Sequence, residues 1–131
     1  MPYYIYEEFK KACGEDMVNV NPINSVMKDA QELFNLYPKS VLLDFINNDG
    51  LEELEFINTK QWERNPDKGN TIFVDAYEFR TLNKLGYIAF MRNNKTMKWL
   101  IKSFHLSDNK NPVMLIAMQR AGLLGKYKEK S

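Results

Sequence analysis

Three segments decide the fold class: Thr71-Ile72-Phe73-Val74-Asp75-Ala76-Tyr77-Glu78-Phe79, Tyr87-Ile88-Ala89-Phe90-Met91-Arg92 and Met97-Lys98-Trp99-Leu100-Ile101-Lys102-Ser103-Phe104-His105-Leu106. Each is rich in β-branched and aromatic residues and bounded by turn formers, which reads as a strand. Between them stand Leu82-Asn83-Lys84-Leu85-Gly86, a turn, and Asn93-Asn94-Lys95-Thr96, a tight hairpin. Upstream, Leu54-Glu55-Phe56-Ile57 reads as a further strand, separated by the turn cluster Asn65-Pro66-Asp67-Lys68-Gly69-Asn70. The second half is therefore expected to be an antiparallel meander of about four strands.

The first half has a different period. Ile5, Phe9 and Cys13 recur every four residues, which suggests a helix from about 2 to 13 ended by Gly14, with a short Tyr-rich strand as the alternative. Asn21-Pro22 suits a helix start, and Ile23, Val26, Met27, Ala30, Leu33, Phe34 and Tyr37 then form one stripe. A third helix is expected from Ser40 to about Asn47, with Val41, Leu42, Phe45 and Ile46 inward, stopped by Asn47-Asn48-Asp49-Gly50. Asp108 to Pro112 opens a last helix carrying Val113, Ile116, Ala117 and Arg120, ended by Gly122. The class is α+β: N-terminal helices, then the meander, then a C-terminal helix. Residues 1–131 are expected to form one domain, with 1–50 mainly helical, 51–121 holding the sheet and closing helix, and 122–131 a polar tail.

Composition is ordinary for a globular domain of 131 residues, at 44% hydrophobic and 27% charged. A net charge of +1 gives no global steering toward nucleic acid, but residues 80–131 are strongly basic and the first half is acidic. Cys13 is the only cysteine, which excludes an intramolecular disulfide and a cysteine zinc site and suits a reducing compartment. No apolar run reaches membrane-spanning length and Met1-Pro2-Tyr3-Tyr4 is unlike a signal peptide, so a cytoplasmic protein without a membrane partner is expected. No metal site or cofactor is expected: HExxH, the P-loop, the Rossmann fingerprint and GxSxG are all missing from the sequence.

A two-residue turn at Asn94-Lys95 would set Arg92 opposite Met97, Phe90 opposite Trp99 and Ile88 opposite Ile101. Ser103 and His105 would then continue the helix-packed face, together with Ile72, Val74 and Ala76. The other face would carry Tyr77, Phe79, Tyr87 and Phe104 with Asp75, Lys98 and Lys102. Aromatics and lysines on one sheet face suit single-stranded nucleic acid, through stacking and phosphate contact, and equally suit an ordinary half-solvated sheet. His105 is the only histidine, and histidine is the commonest general acid or base. With Lys102 and Arg80 or Arg92 it could supply the acid–base and cationic groups that RNA cleavage by the 2′-hydroxyl requires.

Residues Tyr77 to Arg120 resemble the C-terminal half of RelE/HigB-type toxins. Tyr77-Glu78-Phe79-Arg80, Gly86-Tyr87-Ile88, Trp99-Leu100-Ile101 with Phe104, and Asn111-Pro112 with Ile116-Ala117 and Arg120 carry the likeness. Ile88 stands where that family usually has a basic residue, and His105-Leu106 where it commonly has paired lysines. Ser103-Phe104 is similar to the last-strand element of the wider barnase–EndoU–colicin–RelE superfamily. The resemblance implies a metal-independent endoribonuclease of the toxin–antitoxin kind, bacterial or phage, acting on RNA, including ribosome-bound mRNA. The expected catalytic residues are Arg80, Arg92, Lys102 and His105, and the expected RNA-binding residues are Tyr77, Tyr87, Lys98, Lys110 and Arg120. Two other readings fit the same residues. One is a non-catalytic protein-binding module, such as an immunity protein, an antitoxin-like partner or a phage inhibitor, with a cognate toxin as its partner. The other is an RNA-binding domain without catalysis.

Overall fold

A computed structural model describes residues 1–81 and 83–107. Among these, α1 (Tyr6–Glu15), β1 (Val20–Pro22), α2 (Asn24–Phe34) and α3 (Lys39–Asn47) precede β2 (Glu52–Gln61), β3 (Phe73–Thr81), β4 (Lys84–Arg92) and β5 (Trp99–Leu106). Strands β2 to β5 form the expected antiparallel meander. The short β1 adds a fifth, parallel strand beside β5, so the sheet is mixed, in the order β1-β5-β4-β3-β2. The α+β class therefore holds, while the C-terminal helix, with Lys110 and Arg120, lies outside the described residues.

Several boundaries differ from the sequence reading. Helix α1 starts at Tyr6 rather than Pro2, because Tyr3 and Tyr4 are held in a non-helical run by a buried carboxylate. Gly14 lies inside α1, where an added Cβ would meet the Asn47 side chain, so it serves the α1–α3 approach rather than ending the helix. Asn21-Pro22 belongs to β1, and α2 begins after it. Gly86 is a strand residue opposite Phe79, and an added Cβ there would strike that ring. The turn that precedes β4 is correspondingly shorter, with Asn83 at φ 63° in the left-handed region that asparagine tolerates.

The helices cover one face of the sheet, here called inner. Phe9 of α1 stacks on Phe90 with centroids 4.0 Å apart and meets Trp99 edge-on. Phe34 of α2 packs against Phe79 and Phe104. Val26 and Ala30 of α2 and Leu42, Leu43 and Ile46 of α3 complete the buried stripes. Val41, expected inward, is instead 40% exposed, and Leu43 takes the inward place. Each fully buried phenylalanine contributes about 1.5–3 kcal/mol of transfer free energy.

The inner face of β3 is Phe73, Asp75, Tyr77 and Phe79, the reverse of the expected assignment. Nearly every β3 residue is buried, so alternation gives no clear signal. Ile72, Val74 and Ala76 are buried too, but on the other side of the sheet, where Val74 and Ala76 floor a hollow beneath loop 62–72. Asp75 is fully buried and accepts hydrogen bonds from the Tyr3 and Tyr4 amides at 3.0 and 2.8 Å and from Thr59 Oγ1 at 2.5 Å. These three donors satisfy a carboxylate that would otherwise be too costly to bury.

Candidate functional site

The site is made by an irregularity in β5. Arg92 pairs with Trp99 and Phe90 with Ile101, but Ala89 then pairs with Ser103 and Ile88 with Phe104. Lys102 is the extra residue of a bulge between them. The connection before β5 is also longer than the expected two residues: Asn93 N–H donates to the Lys98 carbonyl, and the Asn93 side chain accepts from the Lys95 and Thr96 amides. The expected register is thus displaced by two residues at Arg92 and by three at Ile88. The cause is packing. Trp99, Ile101 and Phe104 all enter the core, and their spacings of two and then three residues require one inserted residue.

The bulge exchanges the positions of two side chains. Phe104 goes inward, against Phe34 and Phe79, and His105 goes to the outer face. There the imidazole stacks on Tyr87, its register partner, with centroids 5.0 Å apart and planes 11° apart. His105 Nδ1 lies 2.7 Å from the Leu106 carbonyl oxygen. A carbonyl oxygen only accepts, so Nδ1 carries the proton and the neutral ring keeps its lone pair on Nε2. Burial raises the Tyr87 phenol above its ordinary pKa, so at neutral pH it is a stacking surface and a donor, never an anion.

Beside this pair lies a hollow of about 240 Å³. Ala76 and Ala89, each 2% exposed, form its floor, and their small side chains are what leave the space. Trp62 and Tyr87 are its aromatic walls, and Lys60, Arg64 and Lys102 bring positive charge. None of these three cations forms an ion pair among the described residues. The wall at Trp62 is held in place from both ends. Trp62 N–H donates to the Ile72 carbonyl at 2.8 Å, and the Asn65 side chain accepts from the Asp67 amide and donates to the Asn70 carbonyl. Lys95 pairs with Asp67 at 3.0 Å, tying the loop to the β4–β5 connection.

The expected site residues are divided by this geometry. Lys102 and Tyr87 line the hollow and His105 stacks beside it. Arg80 faces the same side but sits on β3 in the row of Glu52, 4.0 Å from Glu53. Arg92 is withdrawn: it lies 5.1 Å over the Trp99 ring and 3.7 Å from Glu8, at the helical side of the molecule. Tyr77 is withdrawn as well, 6% exposed, stacked on Phe90 and tilted against Tyr6 in the core. Lys98 is exposed and lines a second hollow rather than this one. Lys60, Trp62 and Arg64 lie beyond Ile57, where the sequence predicts the strand to end, whereas β2 runs on to Gln61 and the chain continues directly into Trp62 and Arg64. Asn58-Thr59-Lys60-Gln61 is polar throughout, so no alternation marks the continuation of β2 to Gln61.

Glu78 also reaches the outer face, as the register partner of Tyr87, and is 4% exposed. Ser107 Oγ donates to it at 2.5 Å. Among the described residues no group of three or more His, Cys, Asp or Glu side chains could hold a metal ion, and no helix is long and apolar enough to cross a membrane. No family model, curated protein or solved structure matches the chain.

Proposed function

We propose that the outer face cleaves RNA without a metal, as an endoribonuclease of the RelE-like toxin kind. The observation that supports it is the Tyr87–His105 stack at the rim of a hollow carrying Lys102, Lys60 and Arg64. His105 Nε2 takes the proton of the ribose 2′-hydroxyl. The 2′-oxygen then forms a bond to phosphorus while the bond from phosphorus to the 5′-oxygen breaks. The leaving oxygen takes a proton from water or from the imidazolium. Lys102, with Lys60 and Arg64, offsets the negative charge that grows on the phosphoryl oxygens. Tyr87 fixes the plane of the imidazole.

The test is cleavage of RNA by purified protein in EDTA, with and without ribosomes. Cleavage leaving 2′,3′-cyclic phosphate ends is expected, with a loss of at least a hundredfold in His105→Ala, in the range of a missing acid–base group. Lys102→Ala should also lose activity, whereas Arg92→Ala should keep it. Intact RNA, or cleavage that persists in His105→Ala, would sink the proposal.

A protein-binding module is the second reading, and the edge strand β2 favours it. This ten-residue strand is mostly exposed, ends the sheet order, and presents Glu52, Glu53 and Glu55 to solvent. Exposed strand edges pair readily with partner chains. Normal bacterial growth during free expression, together with intact RNA in the assay above, would favour it.

A further inference from the structure

Trp62 belongs to two hollows. Besides the one at Lys102, it lines a second of about 240 Å³ that reaches β1 and the β4–β5 connection. Either is smaller than the ~300–1,000 Å³ of a drug-sized site and is the size of one nucleotide part rather than a whole cofactor. Their linings differ. The first is cationic and adjoins His105. The second has an apolar floor of Ile72, Met91, Trp99 and Leu100, and a rim that includes Asn21, Asn93 and Lys98. The Asn21 side chain forms no hydrogen bond among the described residues, and the Asn93 side-chain oxygen is already used by the Lys95 and Thr96 amides, which leaves its NH₂ group as a donor.

Flat apolar surface bordered by carboxamides matches a nucleobase, which has an apolar face and a hydrogen-bonding edge. Unpaired cations match phosphate. A tryptophan shared by the two hollows matches a stacking platform for a single strand. We propose that the outer face holds single-stranded RNA across two subsites. The hollow at Asn21 and Met91 takes a base, Trp62 stacks on it, and the neighbouring phosphate lies at Lys102 and Lys60. This rests on the ribonuclease reading for the chemistry but not for the binding. A duplex is excluded as the ligand because its bases are already stacked on one another. Trp62 lines both hollows, so the two subsites adjoin and a base in one can lie next to a phosphate in the other.

The experiment separates binding from cleavage by using 2′-O-methyl oligonucleotides, which lack the attacking hydroxyl. Titration of the full chain with a single-stranded tetramer should quench the tryptophan fluorescence, which comes from Trp62 and Trp99, both of which line the second hollow. The affinity should fall steeply with added salt, as phosphate contact requires. Trp62→Ala should bind roughly 5- to 150-fold more weakly, the range for one lost base stack, and Trp62→Phe should recover much of the loss. Asn21→Ala should weaken the tetramer more than inorganic phosphate. Circular dichroism melts of each variant check that the fold is kept. Equal affinity of Trp62→Ala and the unaltered protein, equal binding of a duplex and a single strand, or no binding at all would overturn the proposal. Tetramer binding without cleavage of ordinary RNA would overturn the ribonuclease reading and leave the two subsites standing. Cleavage that ignores Trp62→Ala would do the reverse.

Discussion

At the scale of single residues, the chain places polar groups where a pattern of alternation would not put them. Asp75 is the clearest case. As an acidic residue between valine and alanine it reads as solvent-facing, yet it is fully buried and ties the N-terminal segment to β3 through the Tyr3 and Tyr4 amides. Removing it leaves two backbone donors without an acceptor and frees the segment whose Tyr4 ring packs on Trp99 and Phe90. Asp75→Ala is therefore expected to cost about 3 kcal/mol, seen as a fall of roughly 10 °C or more in the melting midpoint. Asp75→Asn keeps one accepting oxygen and should lose less. An unchanged midpoint in Asp75→Ala would show that the buried carboxylate contributes nothing net. Neither variant should alter binding at the outer face, since Asp75 belongs to the opposite side of the sheet.

At the scale of elements, the bulge in β5 joins packing to chemistry. The helical stripes of α2 and α3 and the strands β3 to β5 are legible because each repeats its apolar residues over a long enough run, whereas β2 is legible only from Leu54 to Ile57. Short elements, and the faces of doubly buried ones, are not. Strand β1 has three residues, and no period can be read from three. Strand β3 is buried on both faces, so its sequence does not show which face meets the helices. The bulge was legible in part, because Trp99, Ile101 and Phe104 break alternation, and only the burial of Phe104 decides which way the strand turns. Two variants separate these causes. Phe104→Ala empties a fully buried ring site and should cost about 3–5 kcal/mol. Deleting Lys102 should cost clearly less, because Phe90–Ile101, Ala89–Ser103 and Ile88–Phe104 then form one regular ladder with the same side chains inward. The deletion should nonetheless abolish cleavage along with the cation it removes. Chemical denaturation of both variants is the measurement, and a deletion as destabilising as Phe104→Ala would mean that the bulge, rather than the phenylalanine, holds β5 in register.

At the scale of the whole molecule, the buried acids of the core make stability depend on alkaline pH in a definite direction. Cys13 is buried between α1 and its neighbours, and burial pushes its thiol up to about 12 from an ordinary value of 9.0. Burial likewise raises the phenols of Tyr4, Tyr6, Tyr77 and Tyr87 above their ordinary 10.0, with the Asp75 charge adding to the effect at Tyr77. A raised pKa means that the folded chain holds its proton more tightly than the unfolded chain. Below pH 9 both states are protonated and the contribution of these groups to stability is complete. Between pH 9 and 12 the unfolded chain ionises first, binds fewer protons than the folded one, and stability falls as pH rises. Cys13 alone accounts for about 2 kcal/mol lost by pH 10.5. Urea midpoints should therefore fall between pH 8.5 and 10.5, and Cys13→Ala, which removes the earliest group to titrate, should make the fall shallower while the tyrosines preserve the rest of it. A slope identical in the two proteins would mean that the thiol is not shielded by the fold. In that event native protein at pH 8.5 should also react with a thiol reagent as fast as the urea-unfolded chain, whereas a thiol held in the core should react only on unfolding.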